Sequence, residues 1–422
     1  MEESAANGGA PARLWQNRAF LRLWIAQLVS GVGSQITAVA LPLTAVLLLG
    51  VTPGQMGVLG VATYLPNLVF GLFAGVCVDR ARRRPVLVGA DLGRAVLLGS
   101  IPIAALLGRL TFLHLCVVGF AAGSLTVFFE VAATSVLPAL VARHQLLEAN
   151  SRLAIGDAVL AITGPAAAGG FIQLLSAPKA IIADAVSYVL SALSLGGIGK
   201  AETKPRPPAA RAGVRTEIGA GVRALVRTPL LRALTLSSSA GSLFLGVQNT
   251  VLVLFLTRDL AFAPAVIGLA FASTGGGSLL GAACAAPVAR RIGPGRAVIL
   301  GTFLGSVGGL LVPCAGGSTP GLALVVAGRW VAGLGAAIYS VNQLSLRQLL
   351  TPPPLLGRVN AARRFLVFST LPLGAGIGGW LGGVIGLRPT LFVGALGFVA
   401  ALLLAFFSPV RHVRDVPPAV GL

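Results

Sequence analysis

Acidic residues are nearly missing from this chain: 12 Asp and Glu stand among 422 residues, against 32 Lys and Arg. They are too scattered to build the clustered-carboxylate site with which a membrane transferase holds a metal and diphosphate. No DxxD-like pair occurs. Cysteine is equally sparse. Cys77, Cys116, Cys284 and Cys314 lie in separate apolar runs without CxxC spacing, which argues against a disulfide framework and against a zinc site. The three histidines, His114, His144 and His412, are scattered too. No GxxxxGK(S/T) phosphate loop appears, so ATP hydrolysis is not expected to drive this protein. The reading is therefore of a non-enzyme, with no catalytic residues, no metal site and no cofactor. Charged residues make up only 10% of the chain and hydrophobic ones 55%, a balance that excludes a soluble globular domain and a disordered chain alike.

What fills the chain instead is a series of long apolar runs. Crossing a bilayer core about 30 Å thick takes a helix of roughly 20 apolar residues. Twelve runs qualify, near 20–49, 55–78, 85–108, 112–141, 151–175 and 180–199, then 231–257, 265–289, 297–315, 321–350, 359–385 and 390–409. The first is too long for a cleavable signal and leads directly into the next. The 56 glycines let helix backbones approach one another in such a bundle.

The net charge of +20 does not point to nucleic acid, because the cations form no continuous patch. They fall on every second gap between runs. Arg13, Arg18 and Arg22 precede the first; Arg80, Arg82, Arg83 and Arg84 follow the second; Arg143 and Arg152 follow the fourth. The central gap is richest, and Arg290, Arg291, Arg296, Arg347, Arg358, Arg363, Arg364, Arg411 and Arg414 continue the series. The other gaps hold only Arg109, Lys179, Arg258 and Arg388. The positive-inside rule then puts both termini and the central loop in the cytoplasm of a multi-pass protein of the cell membrane. The excess of arginine over lysine suits a GC-rich bacterium.

The two halves repeat. Arg290 stands 208 residues after Arg82, Asn360 stands 210 after Asn150, and Pro372 stands 207 after Pro165. A near-constant offset over three landmarks predicts an all-α membrane protein of twelve transmembrane helices in two pseudo-symmetric six-helix bundles. The expected divisions are 1–199, a cytoplasmic linker at 200–230, and 231–422. Within the linker, Lys204 to Pro208 reads as extended. Thr216 to Arg227 reads as a short amphipathic helix on the inner leaflet, or as a merely solvated basic segment.

Gly75-Val-Cys-Val-Asp79-Arg80-Ala-Arg-Arg83-Arg84 resembles the loop signature of the major facilitator superfamily, with Arg82 where that family carries a glycine. Gly75 would permit a close helix crossing, Asp79 would face a helix dipole, and Arg80, Arg83 and Arg84 would hold the loop at anionic lipid. The resemblance implies a gating loop that latches the halves in one state. Leu137 to Val141, Asp184 to Tyr188, Gly219 to Arg223 and Gly357 to Ala361 are similar to the macrolide- and siderophore-exporter-like branch, also described as transmembrane secretion effectors. Gly164-Pro165 with Gly169 resembles the antiporter motif of exporters, Ala168 standing for a usual glycine. The resemblance favours export by alternating access, with the solute held between the halves.

Ionisable side chains inside spans are functional candidates. Glu130 lies about 11 residues into span four from its inner end, roughly 16 Å at 1.5 Å per residue. A carboxyl there can carry a proton and release it when water arrives, which is what proton coupling requires. A structural hydrogen bond is the alternative. Asp157 is a second candidate. Asp91 and Arg94, three apart, share a helix face and read as a structural ion pair. Asp184 reads as reaching the outer interface. Arg329 reads as a counter-ion for Glu130 or as snorkelling. Gln35, Asn67, Gln248, Asn249, Arg329, Asn342 and Gln343 are cavity candidates, though each amide serves equally well as an interhelical hydrogen bond.

The expectation is a proton-driven exporter of a lipophilic or amphipathic small molecule, such as an antibiotic or other secondary metabolite. Its partners would be that solute, protons and anionic lipids at the cytoplasmic face, with no nucleic acid, and a monomer suffices. A siderophore or nutrient carrier of the same fold, and a non-transporting receptor, remain as alternatives.

Overall fold

The computed structural model describes residues 14–71, 73–198, 214–352 and 355–413. The expected extended stretch at 204–208 lies outside them. Fourteen α-helices are present among the described residues. The first half contains α1 (Arg18–Leu47), α2 (Pro53–Phe70), α3 (Phe73–Arg80), α4 (Arg83–Leu106), α5 (Phe112–Leu140), α6 (Leu146–Leu175) and α7 (Ala177–Gly196). A short α8 (Val214–Arg227) precedes α9 (Pro229–Leu254), α10 (Pro264–Ile292), α11 (Pro294–Leu311), α12 (Thr319–Leu350), α13 (Leu356–Val384) and α14 (Leu387–Phe406).

The starts of these helices are written locally. Asn17 caps α1 by accepting from the amides of Ala19 and Phe20, each at 3.1 Å. Thr52 and Gln55 form a reciprocal capping box at α2, followed by Pro53 in the first turn. Pro229, Pro264 and Pro294 open α9, α10 and α11 in the same way, where a missing amide hydrogen costs nothing.

Eleven of the helices are long and apolar enough to cross a membrane. The one remaining span of the sequence reading, the second at 55–78, is divided. Its first part, α2, carries Gln55, Tyr64 and Asn67 and ends at Phe70, and α3 carries the chain onward.

Helix packing repeats with the sequence. In the first half α1 packs on α6 and α7, α4 on α5 and α7, and α2 on α5. In the second half α9 packs on α13 and α14, α11 on α12 and α14, and α10 on α12. Exchanging α1, α2, α4, α5, α6 and α7 for α9, α10, α11, α12, α13 and α14 turns one set into the other. Between halves the main contacts are α2 with α13 and α6 with α10, which the same exchange interconverts. The protein is thus two pseudo-symmetric six-helix bundles.

The buried core divides unevenly. One cluster joins both halves at the end far from the termini, running from Ile36, Leu43 and Met56 through Ile181 to Val251, Phe255 and Ile267. At the termini end there are two separate clusters, one around Phe20, Leu87 and Phe129, the other around Leu231, Val298 and Val359. The halves are therefore sealed at one end and parted at the other.

The linker helix α8 is present, and its Gly221, Ala224 and Leu225 side is covered by protein. Gly221 meets the Arg358 carbonyl of α13, and Leu225 joins the second-half cluster. Expected to lie on the leaflet, the helix rests at least partly on the second bundle.

Candidate functional site

At the sealed end the halves meet through glycine. A methyl group built on Gly57 of α2 would stand 2.9 Å from Gly379 Cα on α13. One built on Gly169 of α6 would stand 2.9 Å from Gly268 Cα on α10. Gly268 itself faces the Pro165 carbonyl, at 2.5 Å from where its methyl would be. The antiporter-like stretch thus lies at the seam between halves. Gly164 turns inward instead, against Gln35 of α1, whose Cβ would be 2.5 Å from an added methyl. Arg258, in a π-helical turn continuing α9, donates to the Val51 carbonyl across the seam at 2.8 Å.

The stretch Gly75 to Arg84, which resembles the family's loop signature, sits at the parted end. Arg83 donates to the Ser135 carbonyl near the end of α5 at 2.8 Å, and Arg84 donates to the Gly196 carbonyl at the end of α7. Both cations thereby meet the negative ends of helix dipoles in their own half. The side chains of Asp79 and Arg80 lie outside the described ones. Gly75 has no described atom within 4 Å of the place its Cβ would take, so it makes no close crossing in this conformation.

Asp91 and Arg94 form a buried ion pair, as their spacing suggests. Ser191 of α7 donates to the other Asp91 oxygen at 2.6 Å. The Arg94 guanidinium lies 4.2 Å from the Tyr188 ring and 4.4 Å from the Phe129 ring. Asp184 corrects the sequence reading. It does not reach an interface but is fully buried beside Gly33 and Ser187, and its Oδ2 has no hydrogen-bond partner among the described residues.

Glu130 also departs from expectation. It is not a lone carboxyl, and its partner is not Arg329. Its Oε2 lies 3.5 Å from Nη2 of Arg364 on α13, across the gap between halves, with the side chains 56% and 51% exposed. Arg329 instead stacks over Phe271 of α10 at 4.8 Å, its Nε enclosed without a partner among the described residues. Asp157 is exposed on α6, one turn below Ala161, which packs on Gly275 of α10. That spacing turns Asp157 toward the gap where α6 and α10 separate.

The amides divide between roles. Gln248 reaches the Leu391 carbonyl on α14 at 3.5 Å, and Asn342 reaches the Ala285 carbonyl on α10 at 3.4 Å, so both bridge helices inside the second half. Asn249 faces Tyr64 of α2 across the halves. Asn67 is half-buried on α2. Gln343 is buried beside Arg347 and Arg363. Those two arginines are candidates that the sequence reading counted as loop charges. They lie within α12 and α13, as the spans 321–350 and 359–385 already implied, and grouping them with the cytoplasmic charges hid them as site candidates.

Two pseudo-symmetric bundles, joined at one end and parted at the other, have the architecture of a membrane transporter. The chain belongs to the Major Facilitator Superfamily, whose family model matches residues 23–250 and 234–421. Enterobactin exporter EntS of Shigella dysenteriae serotype 1 (strain Sd197), and that of Escherichia coli (strain K12), are each 27% identical over 424 residues, covering 95% of this chain and 95% of theirs. The chain accordingly falls with the siderophore-exporter-like branch. Among solved structures, a mutant of the nucleoside transporter NupG superposes with a TM-score of 0.77 at 12% identity, over 92% of this chain and 99% of its own. A bacterial homologue of the iron transporter ferroportin in its inward-facing state gives 0.73 at 18% identity, over 92% and 98%.

Proposed function

We propose that this transporter exports an amphipathic small molecule from the cytoplasm, driven by protons. The observation that carries the reading is the Glu130–Arg364 pair. A carboxylate in the cleft of the first half is held by a cation of the second, in a protein whose cores are joined at one end only. Protonating Glu130 removes the attraction, so a proton and the closure of the cleft act on the same contact. Asp157, exposed toward the same gap, is the second acceptor. The positive-inside rule makes the open end cytoplasmic, with both termini there and residues 1–199 and 231–422 as the moving bodies about the 200–230 linker. The gating loop, Gly75 to Arg84, lies at that end and meets anionic lipid.

Export is supported by the antiporter-like stretch Gly164-Pro165 with Gly169, of which Pro165 and Gly169 stand at the seal, and by the name of the curated relatives. Those names also favour a siderophore among amphipathic cargoes, ahead of an antibiotic. In proteoliposomes carrying an imposed proton gradient, the wild-type protein should move its cargo and Glu130→Gln should not, at equal reconstitution. Gradient-driven flux at the wild-type rate in that variant would remove proton coupling through Glu130.

A further inference from the structure

Charge is divided between the halves. Five carboxylates stand on the spanning helices of the first half, Asp91, Glu130, Glu148, Asp157 and Asp184. From residue 231 onward the chain holds only Asp259 and Asp415. Asp259 lies at the sealed end, beyond α9. The second half nonetheless carries Arg329, Arg347, Arg363 and Arg364 on its spanning helices. Glu130 answers Arg364. Nothing acidic among the described residues answers the others.

Arg347, in the last turn of α12, and Arg363, in the second turn of α13, come together on Gln343. Arg347 is 8% exposed, and its Nε is enclosed without a partner among the described residues. Arg363 donates to Ser238 Oγ at 3.4 Å, and that hydroxyl is already 2.6 Å from Tyr339 Oη. The remaining acceptor is Gln343, which has one amide oxygen for two guanidiniums. With that oxygen toward Arg347 the distance is 3.5 Å. Turned toward Arg363, it accepts from Nε at 3.0 Å and Nη2 at 3.3 Å. Either way one guanidinium faces the NH2 group. Two planar five-donor forks therefore share two uncharged oxygens, those of Gln343 and Ser238, and a buried charge without a counter-charge is costly. The complement of such a cluster is a planar oxyanion, which an arginine fork binds through paired charge-assisted hydrogen bonds.

We infer that Arg347 and Arg363, with Gln343, Ser238 and Tyr339, form a subsite for an acidic group, and that the transported solute supplies it. The solute is then an amphipathic acid whose apolar body lies in the cleft. This rests on the cleft being the solute path. An anionic lipid headgroup entering from the open end has the same chemistry, and the experiment separates the two.

The full-length protein in phosphatidylcholine nanodiscs would be titrated with dansylglycine and with its neutral methyl ester, reading dansyl fluorescence. The expected result is a preference for the acid of about tenfold, the weight of one charge-assisted hydrogen bond. Arg347→Gln and Arg363→Gln should each abolish the preference while leaving ester binding unchanged, and Arg363→Lys should retain part of it. Unaltered ester binding shows that the variants are folded. Equal binding of acid and ester by the wild type, or a preference that survives both glutamine variants, would overturn the subsite. Competitive loss of dansylglycine binding in nanodiscs doped with phosphatidylglycerol would overturn the assignment to solute in favour of lipid. Acid preference without any proton-driven flux would sink the transport direction and leave the subsite standing.

Discussion

Gly57 on α2 and Gly379 on α13 touch backbone to backbone, and Gly268 on α10 and Gly169 on α6 make the matching contact under the exchange of halves. The seal thus depends on the absence of side chains at two related crossings. Forcing extra methylenes into such a contact costs about 1–3 kcal/mol. Only the sealed state should feel that cost, since the crossings part when the far end opens. Gly57→Leu and Gly169→Leu should each shift the protein toward opening at that end. In a variant with all four native cysteines replaced by serine, a cysteine at Val51 should then react several-fold faster with a membrane-impermeant thiol reagent. Unchanged labelling would mean that the crossings do not set the equilibrium.

Arg258 is the polar counterpart of those crossings, since its guanidinium spans the seam to the Val51 carbonyl at 2.8 Å. A hydrogen bond from a charged donor contributes about 1.5–3 kcal/mol. Arg258→Gln should therefore release the seal in the same direction as the leucine variants. Spin labels at Thr52 and Asp259 would report it as a longer distance component in pulsed electron resonance. Arg388 is the internal comparison. It donates to the Ala315 carbonyl within its own half at 2.9 Å, so Arg388→Gln should leave that distance distribution unchanged.

The repeat, the spans and the charge alternation were legible in the sequence because each is a property of one stretch of chain. Partners across helices were not. Asp184, Ser187, Tyr188 and Ser191 of α7 share one polar face at i, i+3, i+4 and i+7, but that spacing does not show whether the face meets Gly33 of α1, lipid or water. Arg364 falls inside the span read at 359–385 but groups with the cytoplasmic charges in the sequence, and nothing local shows that it meets Glu130 across the halves. Which contacts join the halves also depends on the state the protein has adopted, and no local pattern encodes that. Gly75 illustrates the point, having open space around it here where a close crossing was expected.

Asp91 and Arg94 are buried together and bonded to Ser191 and Tyr188 on α7. Removing one member of a buried pair leaves the other charge uncompensated, at about 3–5 kcal/mol. Asp91→Asn and Arg94→Met should each lower the melting temperature of the purified protein markedly. The double variant should recover much of the loss. A double variant no more stable than the worse single one would show that the pair does more than neutralise itself.

Glu130 and Arg364 should behave in the opposite way. Both are about half exposed at 3.5 Å, a geometry in which an ion pair contributes about 0–1 kcal/mol. Glu130→Gln and Arg364→Gln should leave the melting temperature nearly unchanged, and a double-mutant cycle on stability should return a coupling near zero. Transport should respond differently, because in the proposed cycle the contact acts on closure of the cleft rather than on the resting fold. Glu130→Gln removes both the proton site and the attraction, so gradient-driven flux should be lost. Arg364→Gln removes only the attraction, and should slow flux while keeping its dependence on the proton gradient. Equal loss in both variants would make Glu130 a partner for Arg364 and nothing more.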